Sequence, residues 1–539
     1  MKRTHFTAIL SLLFSMLLSI HCYSSIGDID SKLSCAHRFV TGLAFDGTCL
    51  WYADRQTDTL YQVDLHSNTI RHKIPAPGYS PTGLTWDGTH LWCIDDKEGY
   101  IYRIDVATGI TDRVIESYAR HPKDLAWDGF NLWVVDDEAD LILSLDPEDG
   151  MMISNIPTPS RNADGLTYDG EYLWVTDRID DMIYRIDPKS GMVVMHLPAP
   201  YHHARGLAWD GNALWNADYE SDTLYRINTK SGNFIVPSEA KKLNLDNYFE
   251  FRNYGPDEVL DLDVYISIPE NRANQTLLDT PQFNPKPEGI LADEWGQLFA
   301  HYRIAKLSSG EVFKAKMVVA ADVMAVRYHI DPDRVGSLKE IPEEIKEKYL
   351  ADGKKILIHD PYIVDLSKKI VGSASNPYWI TRKIYQYLIE NLSYNLKPVG
   401  GWNTAPTVLK RGTASCSEYS FCLISLCRAS GVPARYVGAV SLRGDDASLD
   451  DVFHRWCEVY LPNYGWIPFD ANKGDGVTPA SHATGIGDIA ARYIITTTSG
   501  GDSEYMDWTY NFNFHWKSKG KCKIYADYYS EWSPLNGDE

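Results

Sequence analysis

The chain is short of cations. Its 539 residues carry 52 Lys and Arg against 73 Asp and Glu, a formal net charge of −21. Phosphate binding needs a basic face, so nucleic acid is excluded as a partner, and so is a grip on anionic lipid through surface charge. Long apolar runs are scarce too. Beyond residues 6–20, no stretch approaches the roughly 20 residues of a membrane-spanning helix. No C-x-x-C pair occurs among the nine cysteines, and their spacing fits no zinc pattern. A D-x-D-x-D-G calcium loop is absent as well. The sequence therefore calls for no metal and no cofactor.

Lys2 and Arg3 precede the apolar run 6–20 and then small polar residues, the layout of a secretory signal over residues 1–24. An extracytoplasmic location, periplasmic or secreted, is expected. Membrane attachment would come only from lipidation of Cys22, and His21 is a poor residue before a lipidated cysteine. The other eight cysteines read mostly as buried free thiols, with a Cys35–Cys49 bridge left open.

What is abundant is repetition. The pattern G-L-x-[WFY]-D-G-x-x-L-W-x-x-D-x-x-x-D-x-L-Y-x-I-D recurs every 41 residues, starting at Gly42, Gly83, Asp124, Gly165 and Gly206. Its Asp-Gly pairs signal hairpin turns and its alternating runs signal short strands. Four short strands per unit at this period predict an all-β propeller over residues 25–240, with five blades, or six if a degenerate unit escapes the pattern. Residues 28–36 fall in register with the last strand of a unit and would complete the final blade. In layout the array resembles propellers of the NHL and streptogramin-lyase type.

Residues present in every unit, such as Trp51 and Asp54 with their equivalents, are expected to hold the blade together. Ligand binding belongs where the units differ. Those positions are Phe39, Ser80, His121, Asn162 and His203 before each unit, and Arg55, Asp96, Asp137, Arg178 and Tyr219 after the repeated Asp.

Residues 241–335 alternate as strands and predict a small β-sandwich-like spacer. It resembles the β-domain that often precedes a transglutaminase-like domain in secreted bacterial proteins. From 336 to 539 helical patterns enter, and the chain finishes in an aromatic-rich β tail.

Within this last part, residues 412–435 place Cys416 at the first turn of an apolar helix. Ser415 and Glu418 form a capping box before it, and Gly431 and Pro433 stop it. A thiol at the positive end of a helix dipole is biased toward thiolate. His454 then opens one strand and Asp470 ends the next. A nucleophile, a base and an acid that orients the base are the parts acyl transfer by cysteine requires.

The three blocks around Cys416 (G-x-x-x-C-x-E-Y with VPARYV), His454 (H-x-W-x-E-V-Y) and Asp470 (G-W-x-x-F-D) resemble the transglutaminase-like, papain-like α+β fold over residues 337–500. That resemblance implies Cys416 as nucleophile, His454 as general base and then acid, and Asp470 as its orienting partner. The oxyanion would meet the Cys416 backbone N–H and a donor from the preceding loop, Trp402 or Tyr394. Two features depart from the family pattern: Arg455, where alanine is more usual, and Ala471-Asn472 after the aspartate.

The reading is thus an exported, multidomain, transglutaminase-like cysteine enzyme acting on peptide or protein amides, as peptidase, amidase or acyltransferase. Its propeller would hold a protein or glycan. The alternative is a non-catalytic binding protein that uses the propeller alone.

Overall fold

The computed structural model describes residues 25–397, 401–442, 449–450 and 453–535. The expected signal and Cys22 lie outside the described residues. Residues 29–227 form five four-stranded antiparallel sheets. The first is Val40–Phe45, Cys49–Asp54, Thr59–Asp64 and Ile70–Pro75. The fifth takes three strands from the last repeat, and its outer strand is Ile29–Ser34, paired antiparallel with Thr223–Ile227. The first strand of each unit lies beside that of the next, and Ala204–Trp209 returns to Val40–Phe45, so the sheets follow one another in a closed cycle.

The repeated residues have direct structural work. In every sheet the aspartate of the Asp-Gly turn accepts the indole N–H of the repeated tryptophan. Asp46–Trp51, Asp87–Trp92, Asp128–Trp133, Asp169–Trp174 and Asp210–Trp215 make this bond at 2.8–3.0 Å. The second repeated aspartate accepts turn amides; Asp54 takes those of Gln56 and Thr57 at 2.7 and 3.1 Å.

Glycine opens four of the five units because the inner strands nearly touch. A Cβ on Gly42 would lie 2.6 Å from the Cα of Gly83. The third unit has Asp124 there instead, and its carboxylate accepts the N–H groups of Leu84 at 3.0 Å and Leu166 at 2.9 Å, stitching the sheets on either side.

The next region is built on two long strands, Ile235–Asn253 and Val312–Tyr328, paired along nearly their whole length. The aromatic tail joins this region. Ile524–Pro534 pairs with Ile235–Asn253, and Phe512–Ser518 pairs with Val259–Ser267. Both tail strands thus complete the sheets of the central region. The cause is apolar: Phe512 and Phe514 pack edge-on against Phe251 at centroid distances of 5.7 and 5.2 Å, inside one shared core.

Between these strands the described residues form six α-helices, α1 (Glu343–Tyr349), α2 (Pro361–Val371), α3 (Pro377–Asn391), α4 (Ala405–Arg411), α5 (Cys416–Ala429) and α6 (Pro479–Ala483). A four-stranded antiparallel sheet accompanies them, ordered Gly465–Phe469, Phe453–Leu461, Ala434–Ser441, Tyr493–Ser499. Helix α5 packs against α2, α3, α4 and this sheet, which explains why its sequence is apolar all round. Beyond it Gly431 adopts φ +81°, and the Arg428 guanidinium collects the carbonyls of Ala351, Ala434 and Gly500 at 2.8–3.0 Å.

The ring touches this region at its fourth sheet and at the link that leads into it. The N–H of Ala480 in α6 donates to the Pro159 carbonyl at 2.9 Å, and Arg382 of α3 donates to that of Val193 at 3.1 Å. Among the described residues every cysteine is a free thiol, so Cys35 and Cys49 are not bridged. No described helix is long and apolar enough to cross a membrane.

Candidate active site

Ser415 caps α5 as its sequence demands: the hydroxyl accepts the Glu418 N–H at 3.4 Å and the Glu418 carboxylate accepts the Ser415 N–H at 3.2 Å. Cys416 is the first residue inside the helix and is buried. Glu418 does more than cap. Its fully buried carboxylate also accepts the backbone N–H of Asn403 at 2.9 Å and the Arg411 guanidinium at 2.7 Å. The loop bearing Trp402 is thereby fastened to the turn bearing Cys416.

His454 is the second residue of Phe453–Leu461, and Asp470 follows Gly465–Phe469, the strand paired beside it. His454 Nε2 and Asp470 Oδ2 lie 2.6 Å apart. The imidazole and the backbone N–H of Arg455 both act on the Cys416 sulfur and draw its thiol down. The three residues that the sequence singles out are therefore brought together. Tyr493 stacks on the His454 ring at 5.8 Å.

Burial pushes the Cys416 thiol up, but the His454 hydrogen bond and charge, with help from Arg455, bring it below its ordinary value. Burial likewise pushes the His454 imidazole down, and the Asp470 carboxylate overrides this and raises it well above the usual range. The contrast with neighbouring thiols is sharp. Cys422 of the same helix is driven well up by burial, and Cys427 is pushed up to about 12. Opposite shifts of thiol and imidazole favour a thiolate–imidazolium pair, the reactive form of a cysteine nucleophile.

Of the two oxyanion candidates, Tyr394 is 45% exposed. Its hydroxyl still feels Cys416 and Asp470, whose charges with burial raise its pKa. Trp402 stacks on Tyr510 at 6.0 Å and meets Phe421 edge-on. Two groups near the sulfur are not legible as site residues in the sequence. Tyr510 lies in the aromatic tail, and Cys416 and Ser417 both act on its hydroxyl. Arg455 stands out in the sequence only as a departure from pattern, and its adjacency to His454 is the available clue.

Residues 364–471 match the Transglutaminase-like superfamily model. The match takes in Cys416, His454 and Asp470. Two curated relatives also align. An uncharacterized protein of Haemophilus influenzae is 22% identical over 168 residues (26% of this chain, 46% of that protein). The uncharacterized protein YebA of Bacillus subtilis is 35% identical over 69 residues (11% and 9%). The chain thus spans less than half the length of the curated relatives it matches.

Among solved structures, a Cytophaga hutchinsonii protein described as a candidate cysteine protease aligns with TM-score 0.40 and 17% identity, over 57% of this chain and 94% of that one. Myxococcus xanthus glutaminyl cyclase aligns with TM-score 0.35 and 16% identity (38% and 99%). Virginiamycin B lyase from Staphylococcus aureus aligns with TM-score 0.27 and 14% identity (37% and 98%).

The non-repeating positions of the ring are also brought together. In all five sheets the N–H after the repeated aspartate donates to the residue preceding the unit, from Arg55 to Phe39 at 3.1 Å through to Tyr219 and His203 at 3.3 Å. Ion pairs run between sheets, Arg55–Asp96 at 3.3 Å and Arg205–Asp164 at 3.2 Å, and His121 reaches Asp137 at 2.6 Å.

Proposed function

We propose that the chain is a cysteine enzyme cleaving or transferring amide-linked acyl groups, with Cys416 as nucleophile, His454 as acid and base, and Asp470 as orienting carboxylate. The observation that carries this reading is the pairing of His454 with Asp470 at 2.6 Å beside a Cys416 thiol that the imidazole draws down. The thiolate attacks the amide carbonyl. The imidazolium gives its proton to the departing amine, leaving a thioester on Cys416. His454 then takes a proton from water or a second amine, which attacks the thioester, and the thiol is restored.

The oxyanion is met by the Cys416 N–H, one of the free amides at the start of α5, and by a donor from Trp402 or Tyr394. Peptides or proteins are the substrates, hydrolysis is the outcome, and the protein works outside the cytoplasm. The cyclic sheets act as a five-bladed propeller whose non-repeating face holds a protein or glycan, and the central sheets act as a sandwich-like spacer. The test is to incubate the protein and its Cys416→Ala form with a peptide mixture and read products by mass spectrometry. Amide cleavage that survives the substitution overturns the reading.

A further inference from the structure

Arg455 follows His454 on the same strand and has no exposed surface. Its guanidinium is enclosed by rings: Tyr510 at 4.3 Å, Tyr436 at 4.4 Å, Trp402 at 4.8 Å and Phe421 at 5.4 Å. Among the described residues it donates to the Trp508 carbonyl at 2.6 Å, while Nε and one terminal nitrogen are buried without a partner. Arg428, equally buried nearby, satisfies its guanidinium with three carbonyls. A buried cation with neither a full set of acceptors nor a counter-ion is costly.

No described carboxylate is paired with Arg455. Asp470 is engaged by His454, and the Glu418 carboxylate of α5 is engaged by Arg411. The groups whose charge weighs most on the guanidinium are Tyr436, Tyr510, Cys416 and Cys457. The two tyrosines and Cys457 are raised by burial, which keeps them neutral. That leaves the Cys416 sulfur, on which His454 and Arg455 both act and whose charge reaches Tyr394 and Tyr510. The charge count agrees. Thiolate, imidazolium and the Asp470 carboxylate sum to −1, and Arg455 brings the buried set to zero.

We propose that Arg455 is a positioning residue of this active site, an aromatic-caged counter-ion to the Cys416 thiolate that acts alongside His454. This rests on the reading of Cys416 as a nucleophile. The pairing explains the departure from the family pattern at this position, because the thiolate keeps a cationic neighbour that never titrates and is walled from water by the cage.

The test is the pH profile of Cys416 alkylation by iodoacetamide, followed by mass spectrometry of its peptide, in wild type, R455Q, R455M and R455K. None of these changes removes the backbone N–H on the sulfur, so only the side chain is read. The neutral variants are expected to move the midpoint of the rate upward by about one pH unit or more, and R455K to return most of that shift. A purely structural Arg455 would lower the melting temperature and leave the midpoint in place, and a folded R455Q or R455M with an unmoved midpoint overturns the proposal. If both neutral variants fail to fold, R455K decides, and an R455K midpoint raised by a full unit overturns it. A wild-type Cys416 with the midpoint of an ordinary thiol would instead sink the nucleophile reading itself, which keeps the two failures apart.

Discussion

The backbone N–H of Asp470 donates to the carbonyl oxygen of Gly485 at 2.7 Å, closing the loop between the two residues. Inside that loop Tyr385 of α3 donates to the His482 carbonyl at 2.7 Å, and α6 is fastened to Pro159 of the ring. Asp470 is therefore held by backbone from both its own domain and the repeat array. We predict that Asp470→Asn keeps the melting temperature close to wild type. The amide can still reach His454, but it cannot stabilise an imidazolium. Amide cleavage should fall by about 10³- to 10⁴-fold in kcat. Steady-state kinetics beside thermal melting checks this, and equal activity would remove Asp470 from the mechanism.

The thiol and the imidazole titrate in opposite directions, and this sets a window. Cys416 is ionised above its lowered value, and His454 keeps its proton up to its raised one. Alkylation of Cys416 should thus begin below the ordinary thiol range, near pH 8.5, while amide cleavage should decline again at high pH as the imidazolium is lost. The folded His454 holds a proton where the unfolded chain has released it. That contribution to stability is complete below about pH 6.5 and vanishes as pH rises through the folded value. His454→Gln should shift the alkylation midpoint upward; an unchanged midpoint would contradict the pairing.

Glu458 lies between two guanidinium groups. Arg435 donates to one oxygen at 2.7 and 2.9 Å, and Arg272, from the central region, pairs with the other. Glu458→Ala leaves two largely buried cations facing each other and should cost about 3–5 kcal/mol in urea unfolding. Arg272→Met with Glu458→Gln should recover part of the loss, because it removes one of the two facing cations along with the carboxylate and leaves only Arg435.

Acid should loosen the contact between the ring and the rest of the chain. Burial lowers His196 well below its usual range and brings His329 to about 4. They line the same crevice with Tyr378 and Ile486. An unfolded chain takes up protons at these sites below about pH 6.5 while the folded one refuses them. Stability therefore falls as pH drops from 6.5 toward 4, by up to about 3 kcal/mol for His329. His329→Gln should flatten this slope in melting curves taken from pH 7 to 4.5. A slope equal to wild type would exclude His329 as its source.

Local signals in the sequence are rich enough to reach several of these features. Asp-Gly turns and the 41-residue period mark strands that pair with their immediate neighbours, and the Ser415–Glu418 spacing marks the start of α5. Features that depend on distant segments are hidden. Alternation in the tail predicts strands but not partners, so the pairing of Ile524–Pro534 with Ile235–Asn253 is not readable from it. The Arg455 cage draws its rings from separate stretches around residues 402, 421, 436 and 510, and no window of sequence contains them together. Only the identity of the residue stands out, as an arginine in an unexpected place.

The pairing of the tail with the central strands has a temporal consequence. Residues 29–227 can complete their sheets from contacts within that span as soon as it has left the ribosome. One edge of Ile235–Asn253 pairs with Val312–Tyr328, but its other edge must wait for the segment ending at Pro534, and helix α5 and its sheet arrive in the interval. The cysteine region is thus enclosed between an early strand and a late one. A chain arrested before residue 524 would hold a finished ring beside an open sheet edge, and such an edge is the surface on which aggregation begins.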